Sequence, residues 1–309
     1  MRVGLVGGGG IADAHIRGYR AHADRIGVTA VADAVAATAQ RRGEELQATA
    51  HTDYRELLRD PDVDAVDICL PHHLHAEVIV AAAEAGKHVL CEKPLCLTTD
   101  EARAVRVAVA SSGVTLMCAH NQLFLPAVAT AKELLASGAI GTVYEVRTTD
   151  SFFNDFDLET MGWRASASTS GGGELIDTGY HPTYLLLHLA GSTPVEATAM
   201  LSTHRLTFME GEDSAQVLIR FANGVVGHLV TSWAYDPAPG TERFSAVGEL
   251  GSLRSDGTTL TLARRDGTSQ SFAFEPVDTF VAEIGHFADS LLNGTRPCTP
   301  RRRASRCSG

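Results

Sequence analysis

The chain has 309 residues, 44% of them hydrophobic and 20% charged, with a formal net charge of −11. This is ordinary globular composition, at a length that suits two domains better than one. So acidic a chain draws in neither nucleic acid nor an anionic membrane surface, and no apolar run approaches the ~20 residues a membrane span needs.

The opening stretch "MRVGLVGGGGIADAH" has one Arg and a short apolar run that passes into glycines, Asp13 and His15, unlike the apolar core of a signal peptide. "RVGLVGGGGIADAHIRGY" reads as strand, glycine turn and helix. "VTAVAD", ending at Asp33, is a second strand, "AVAATAQRRGEELQ" a helix, and "DAVDICLP" a third, buried strand closed by Pro71. "HAEVIVAAAEAG" is a helix ending at Gly86, and "KHVLCEKP" is the next strand. "TTDEARAVRVAVASSG" is a helix with Thr99 or Asp100 as N-cap and Gly113 closing it, and "VTLMCAH" is another strand. Strands that alternate with helices, each a nearly unbroken apolar run, predict an α/β domain built on a doubly wound parallel sheet over about residues 1–120.

The second half, residues 121–297, changes character. A helix, "AVATAKELLASG", leads into the strand "GTVYEVRTTDSF", and "GGGELIDTGYHPTYLLLHLAG" reads as mostly helical. Then "VEATAMLST", "SAQVLIRFANGVVGHLVTSWAY", "ERFSAVGE", "GSLRS", "TLTLARR" and "SQSFAF" follow one another as strands, with Asn223-Gly224 as a hairpin signal. Consecutive strands joined by turns predict a large, mostly antiparallel open sheet, one face of it exposed or used for association. The six cysteines, Cys69, Cys91, Cys96, Cys118, Cys298 and Cys307, show no C-x-x-C pair and no regular spacing, so a reduced, cytoplasmic protein is expected.

"GLVGGGGIADAH" fits G-x-G-x-x-A with Gly7, Gly9 and Ala12, and Gly10 and Ile11 between them. It follows a strand and opens a helix, so the backbone can approach a pyrophosphate seated on the helix N-terminus. Asp33 ends the second strand about 20 residues further on, where an acid accepts from ribose hydroxyls and repels a 2′-phosphate. The next residue is Ala34 rather than Arg, which favours NAD over NADP; Arg41 and Arg42 are expected to be solvated.

Ligands of such sheets bind outside the carboxyl ends of the strands. Glu92, Lys93 and Pro94 sit at one such end, and Pro71, His72, His73 and His75 at another. A half-buried lysine there is costly unless paired, so either Glu92 neutralises it or it serves chemistry. Far away in sequence, "IDTGYH" places Asp177 and His181 four apart, on one face of the expected helix. Converging on a nicotinamide, Lys93 would polarise a carbonyl or hold a hydroxyl, His181 would exchange the proton, and Asp177 would orient the substrate or the histidine.

Together, "VGLVGGGGIADAH", Asp33, "LPHHLHAEV", "AGKHVLCEKPL", "LASGAIGTV", "GWR", "GGGELIDTGYH" and "HFADSLLNGTRP" resemble the glucose–fructose oxidoreductase, inositol 2-dehydrogenase and rhizopine catabolism (Gfo/Idh/MocA) family, in order over nearly the whole chain. The resemblance implies a Rossmann domain, an α/β domain with a largely antiparallel open sheet, and NAD(P)-dependent oxidation or reduction at a ring carbon of a sugar or cyclitol. It implies that Lys93, Asp177 and His181 are catalytic and that the "PHHLH" loop, with Pro71, His72 and His75, borders the cofactor beside Glu92 and Lys93. It suggests a homodimer or homotetramer through the open sheet. Trp163, Arg164 and Asn121 are expected to line the substrate pocket. The three histidines of "PHHLH" lack a carboxylate or thiol at ligand spacing, so no metal is expected. Where relatives often carry Arg, this chain has Leu123. Where they continue into a long helix, residues 298–309 read "CTPRRRASRCSG", expected as a solvated basic tail or as the mark of a reading-frame shift near Arg296 to Cys298. The alternatives are an NADPH-dependent 3-ketoreductase of nucleotide-linked deoxysugars, which Asp33 opposes, a non-catalytic sensor of NAD or sugar, which the intact Lys93, Asp177 and His181 oppose, and an inactive remnant, which the shortened C-terminus allows.

Overall fold

Apolar runs with no polar face need cover on both sides, and here five of them, with the short exposed strand β3, form a sheet: β1 (Arg2–Val6), β2 (Gly27–Ala32), β3 (Thr49–His51), β4 (Ala65–Ile68), β5 (His88–Cys91) and β6 (Leu116–Cys118). They pair in parallel in the order β3-β2-β1-β4-β5-β6. The helices between them are α1 (Ala12–Ala21), α2 (Ala36–Leu46), α3 (Tyr54–Arg59), α4 (His75–Glu84) and α5 (Thr99–Ser112). The order reverses between β1 and β4, and the carboxyl ends there open a crevice for ligands. The computed structural model describes residues 1–236, 240 and 242–297, in two compact units. Unit 1 contains Met1–Asn121 and unit 2 is Gln122–Val277.

Unit 2 begins with α6 (Pro126–Ala136) and β7 (Val143–Ser151), passes through the short helices α7 (Leu158–Met161) and α8 (Ala167–Ser170), and then forms α9 (Tyr180–Ala190). The strands β8 (Pro194–Ser202), β9 (Ser214–Phe221), β10 (Val226–Ser232), β11 (Phe244–Gly248), β12 (Gly251–Ser255), β13 (Thr259–Arg264) and β14 (Ser269–Ala273) complete it. The sheet runs β14-β13-β12-β11-β7-β10-β9-β8, antiparallel throughout except for β7 beside β10. Alternation along β9 sends Val217, Ile219 and Phe221 into a core shared with Leu185, Leu186 and Leu189 of α9 and Ala127, Val128 and Ala131 of α6. Each large apolar side chain so buried contributes about 1.5–3 kcal/mol.

Helix α10 (Thr279–Leu292) returns the chain to unit 1, although the sequence reading assigned that stretch to the second half. It packs on α1, where a side chain at Gly18 would lie 2.5 Å from Ile284 Cγ1. Two expectations are corrected. The N-cap of α5 is Thr98, whose hydroxyl accepts from Glu101 N–H while the Glu101 carboxylate accepts from Thr98 N–H, a capping box that Thr99 and Asp100 cannot make. The helix expected to carry both Asp177 and His181 starts only at Tyr180, so Asp177 lies in the turns before it. Pro182 explains this: it lacks the N–H that an earlier helix would bond to Thr178, and is tolerated in a first turn only. The basic tail, residues 298–309, lies outside the described residues. Among the described residues, no helix is long and apolar enough to cross a membrane.

Candidate active site

In unit 1 the glycine turn is shaped from three sides. Gly7 has φ +96°, and a Cβ there would lie 2.3 Å from the Cys69 carbonyl oxygen. Gly9 and Gly10 are exposed, with nothing within 4 Å of an added Cβ, so their backbone is open to a ligand at the start of α1. Ile11 is the exposed N-cap of α1, and Ala12 is buried against the sheet. The Asp33 carboxylate accepts from Gly8 N–H and from Val35 N–H, both at 2.8 Å, which fixes the carboxylate at the edge of the turn. Each carboxylate oxygen can take a further donor. The residues present therefore fit a dinucleotide: open glycine backbone at a helix N-terminus for the pyrophosphate and a held acid for ribose hydroxyls.

Arg42 was expected in solvent and is instead 3% exposed. From α2 its Nε donates to the Gly8 carbonyl at 3.1 Å and its Nη2 to the Gly9 carbonyl at 3.4 Å, with Asp13 and Glu45 as ion partners at 2.6 and 2.7 Å. It clasps the glycine turn from behind. Only its register on α2, two turns beyond Val35, hinted at this in the sequence.

After β4, Pro71 leads into a single 3₁₀ turn, His72–Leu74. His72 and His75 are buried. The His75 ring nitrogens face backbone carbonyls, Nδ1 that of Pro94 at 2.7 Å and Nε2 that of Leu70 at 2.8 Å. Burial lowers its pKa. His75 thus ties this loop to the next one. There, Glu92 is 6% exposed, Lys93 is half-buried, and the Lys93–Pro94 peptide is cis. Glu92 Oε2 accepts from Lys93 N–H at 3.0 Å, and Oε1 meets His15 Nε2 at 3.0 Å. Asn121, at the end of this stretch, donates from Nδ2 to Thr279 Oγ1 at 3.1 Å.

In unit 2, His181 occupies the first turn of α9 with Nδ1 2.8 Å from the Tyr184 hydroxyl, which also accepts from Gln122 N–H at 3.1 Å. A phenol answers either ring state, accepting from Nδ1–H or donating to bare Nδ1. Tyr184 was missed in the sequence, although its i+3 spacing from His181 is the available signal. Asp177 is buried, and its Oδ2 accepts from Arg164 Nε at 2.6 Å. The Arg164 guanidinium also lies 4.4 Å above the Trp163 ring. Thus Asp177, Arg164 and Trp163 form one group. Trp233, a strand-end aromatic, is buried, and its indole N–H donates to Thr178 Oγ1 at 2.9 Å.

A parallel sheet whose strand order reverses beside an open glycine turn, with an acid held at the end of the second strand, is built for a dinucleotide. Residues 1–120 match the model of the oxidoreductase family with an NAD-binding Rossmann fold, and residues 128–254 match the GFO/IDH/MocA C-terminal domain. These define the class: an NAD-binding oxidoreductase. The levoglucosan dehydrogenase of Pseudarthrobacter phenanthrenivorans is 32% identical, over 90% of this chain and 78% of its own length. The myo-inositol 2-dehydrogenase of Thermotoga maritima is 27% identical, over 96% of this chain and 90% of its own. A solved levoglucosan dehydrogenase in complex with NADH and levoglucosan superposes with a TM-score of 0.87 at 28% identity, covering 96% of this chain and 91% of that one. The chain belongs to the Gfo/Idh/MocA family of oxidoreductases.

Proposed function

We propose that the protein is an NAD-dependent dehydrogenase or ketoreductase acting at a ring CH–OH or C=O of a sugar, sugar derivative or cyclitol, with Lys93, Asp177 and His181 as its catalytic residues. The observation that carries this is His181, whose ring Tyr184 holds at Nδ1 in either protonation state, as a general acid–base requires. Lys93 supplies the positive charge that polarises a carbonyl or holds an alkoxide. Asp177, steadied by Arg164, orients the substrate hydroxyl or the histidine. The bound nicotinamide accepts or returns hydride. NAD is favoured over NADP by Asp33, and by Arg42, whose donors already serve two carbonyls and two carboxylates. That same commitment disfavours the NADPH-dependent ketosugar reductase. The relative solved with NADH and levoglucosan supports both the cofactor and a sugar-like substrate.

The test is Lys93→Met. It should bind NADH as the parent does, by fluorescence titration, and lose about a hundredfold or more in turnover in a sugar and polyol screen at the absorbance of NADH. Undiminished turnover overturns the assignment. In the parent, tighter binding of NADPH than of NADH overturns the cofactor preference. We also infer a homodimer or homotetramer formed through the open sheet, a reading supported by the exposure of Val195 (60%), Met200 (74%), Leu201 (55%) and Leu218 (48%) on β8 and β9.

A further inference from the structure

Behind the Lys93 loop, unit 1 buries ionisable groups that the proposed chemistry does not use. His15, in α1, is 0% exposed. Its Nδ1 lies 2.8 Å from Asp67 Oδ2 and its Nε2 lies 3.0 Å from Glu92 Oε1. Asp67, on β4 and equally buried, also accepts from the Tyr19 hydroxyl at 2.9 Å and from the Cys69 thiol at 3.7 Å. Glu92 accepts from Lys93 N–H. Glu283, from α10, is 0% exposed, and neither of its carboxyl oxygens has a hydrogen-bond partner.

A neutral imidazole has one N–H, but His15 faces an acid at each nitrogen. Either the ring is doubly protonated between two carboxylates, or one of the two acids holds a proton. The other contacts decide. Tyr19, Cys69 and the Lys93 backbone all present donors to Asp67 and Glu92, which is what carboxylates require. We propose that His15 is a positioning residue for Lys93: as a buried imidazolium it clamps Glu92, and the clamped carboxylate fixes the backbone from which Lys93 projects. The proposal rests on the reading of Lys93 as catalytic.

The surrounding electrostatics agree. Burial opposes a proton on His15, and the attraction and hydrogen bonds of its neighbours, Asp67 foremost, together hold its pKa well above the usual value. Burial pushes Glu283 and Tyr19 up and the Cys69 thiol to about 12, so all three stay neutral. Glu92 also acts on the Cys91 thiol, on β5, and on His75, on α4. His15, Asp67 and Cys69 bring three donor atoms within 4.8 Å of one another, as a metal would ask, but both nitrogens of His15 already face carboxylates.

The chain has only three lysines, Lys87, Lys93 and Lys132, so each side-chain nitrogen can be followed by NMR in the full-length protein. With 15N-labelled histidine at pH 8, one ring should show both nitrogens protonated, and that signal should vanish in His15→Gln. With 15N-labelled lysine, the Lys93 signal, identified by its loss in Lys93→Met, should shift in His15→Gln while those of Lys87 and Lys132 stay in place. Glu92→Gln keeps an acceptor for the Lys93 N–H but no charge. It should release the second proton from His15 and shift the Lys93 signal too, and it serves if His15→Gln fails to fold. A His15 ring with one bare nitrogen at pH 8, or a Lys93 signal unmoved in the folded variants, overturns the proposal. Neither readout uses turnover, so the Lys93→Met assay fails or succeeds separately.

Discussion

Glu174 sits three residues before Asp177 and is buried with Oε2 unpartnered. Its Oε1 accepts from the Thr231 hydroxyl, which also faces the Asp150 carbonyl at 2.9 Å. Burial raises its pKa from 4.5 to about 9, helped by the nearby Asp150, Glu212 and Asp177 and opposed by Thr231. The folded chain thus holds a proton that the unfolded chain gives up above pH 4.5. The stabilisation from this group is complete below that value and falls by ~1.4 kcal/mol per pH unit as the pH rises toward 9. Glu174→Gln keeps an oxygen that accepts from Thr231 and has no charge to lose. Its stability relative to the parent in urea denaturation should therefore improve by about 3 kcal/mol between pH 4.5 and 7; a difference constant with pH would refute the neutral acid. Asp33, Lys93, Asp177 and His181 stand out as candidates by type and pattern alone. Glu174, Tyr184 and Arg42 were not, because their roles depend on what faces them after folding, and no local spacing records that.

Among the elements, α2 carries more than its amphipathic pattern announced. Its Arg42 spans the gap to the glycine turn, and the planar guanidinium reaches two carbonyls at once. Arg42→Lys has one point charge and cannot serve both, so NADH should bind about tenfold more weakly, the equivalent of one hydrogen bond, while the thermal midpoint moves by a few degrees at most. Unchanged NADH affinity by fluorescence titration would show the clasp to be irrelevant to the cofactor. All the strands but β3 were legible, since the parallel runs lack a polar face and the antiparallel ones alternate or turn at signals such as Asn223-Gly224, where Gly224 has φ +88°; β3, the short stretch Thr49–His51, has no apolar run to announce it. The start of α9 was misjudged because periodicity was followed past Pro182, although that proline was in plain view. The cap of α5 was misplaced by one residue because several consecutive side chains qualify and only the reciprocal bond to Glu101 chooses among them.

At the scale of the whole molecule, the inferred assembly runs through the open sheet. Thr198 and Leu218 are paired across β8 and β9, and Leu218 is paired with His228 of β10, so these side chains share the sheet face opposite the α9 core. Met200, two residues along β8 from Thr198, falls on the same face. A second copy is the partner inferred for it. The parent should show a dimer or tetramer mass by light scattering, and Met200→Glu with Leu218→Glu should reduce it to the monomer, since charges facing one another across a buried interface cost several kcal/mol. A monomeric parent would end that inference. The return of α10 to α1 has a different consequence, one for the order of events during synthesis. The surface of α1 around Gly18 waits for Ile284, and all of Gln122–Val277 must be translated between the two. At ~5–20 residues per second that is a delay on the order of ten seconds or more. During it the first-made part of the protein is still missing a helix, while the later-made unit is already complete, so the nascent chain should finish its middle before its beginning.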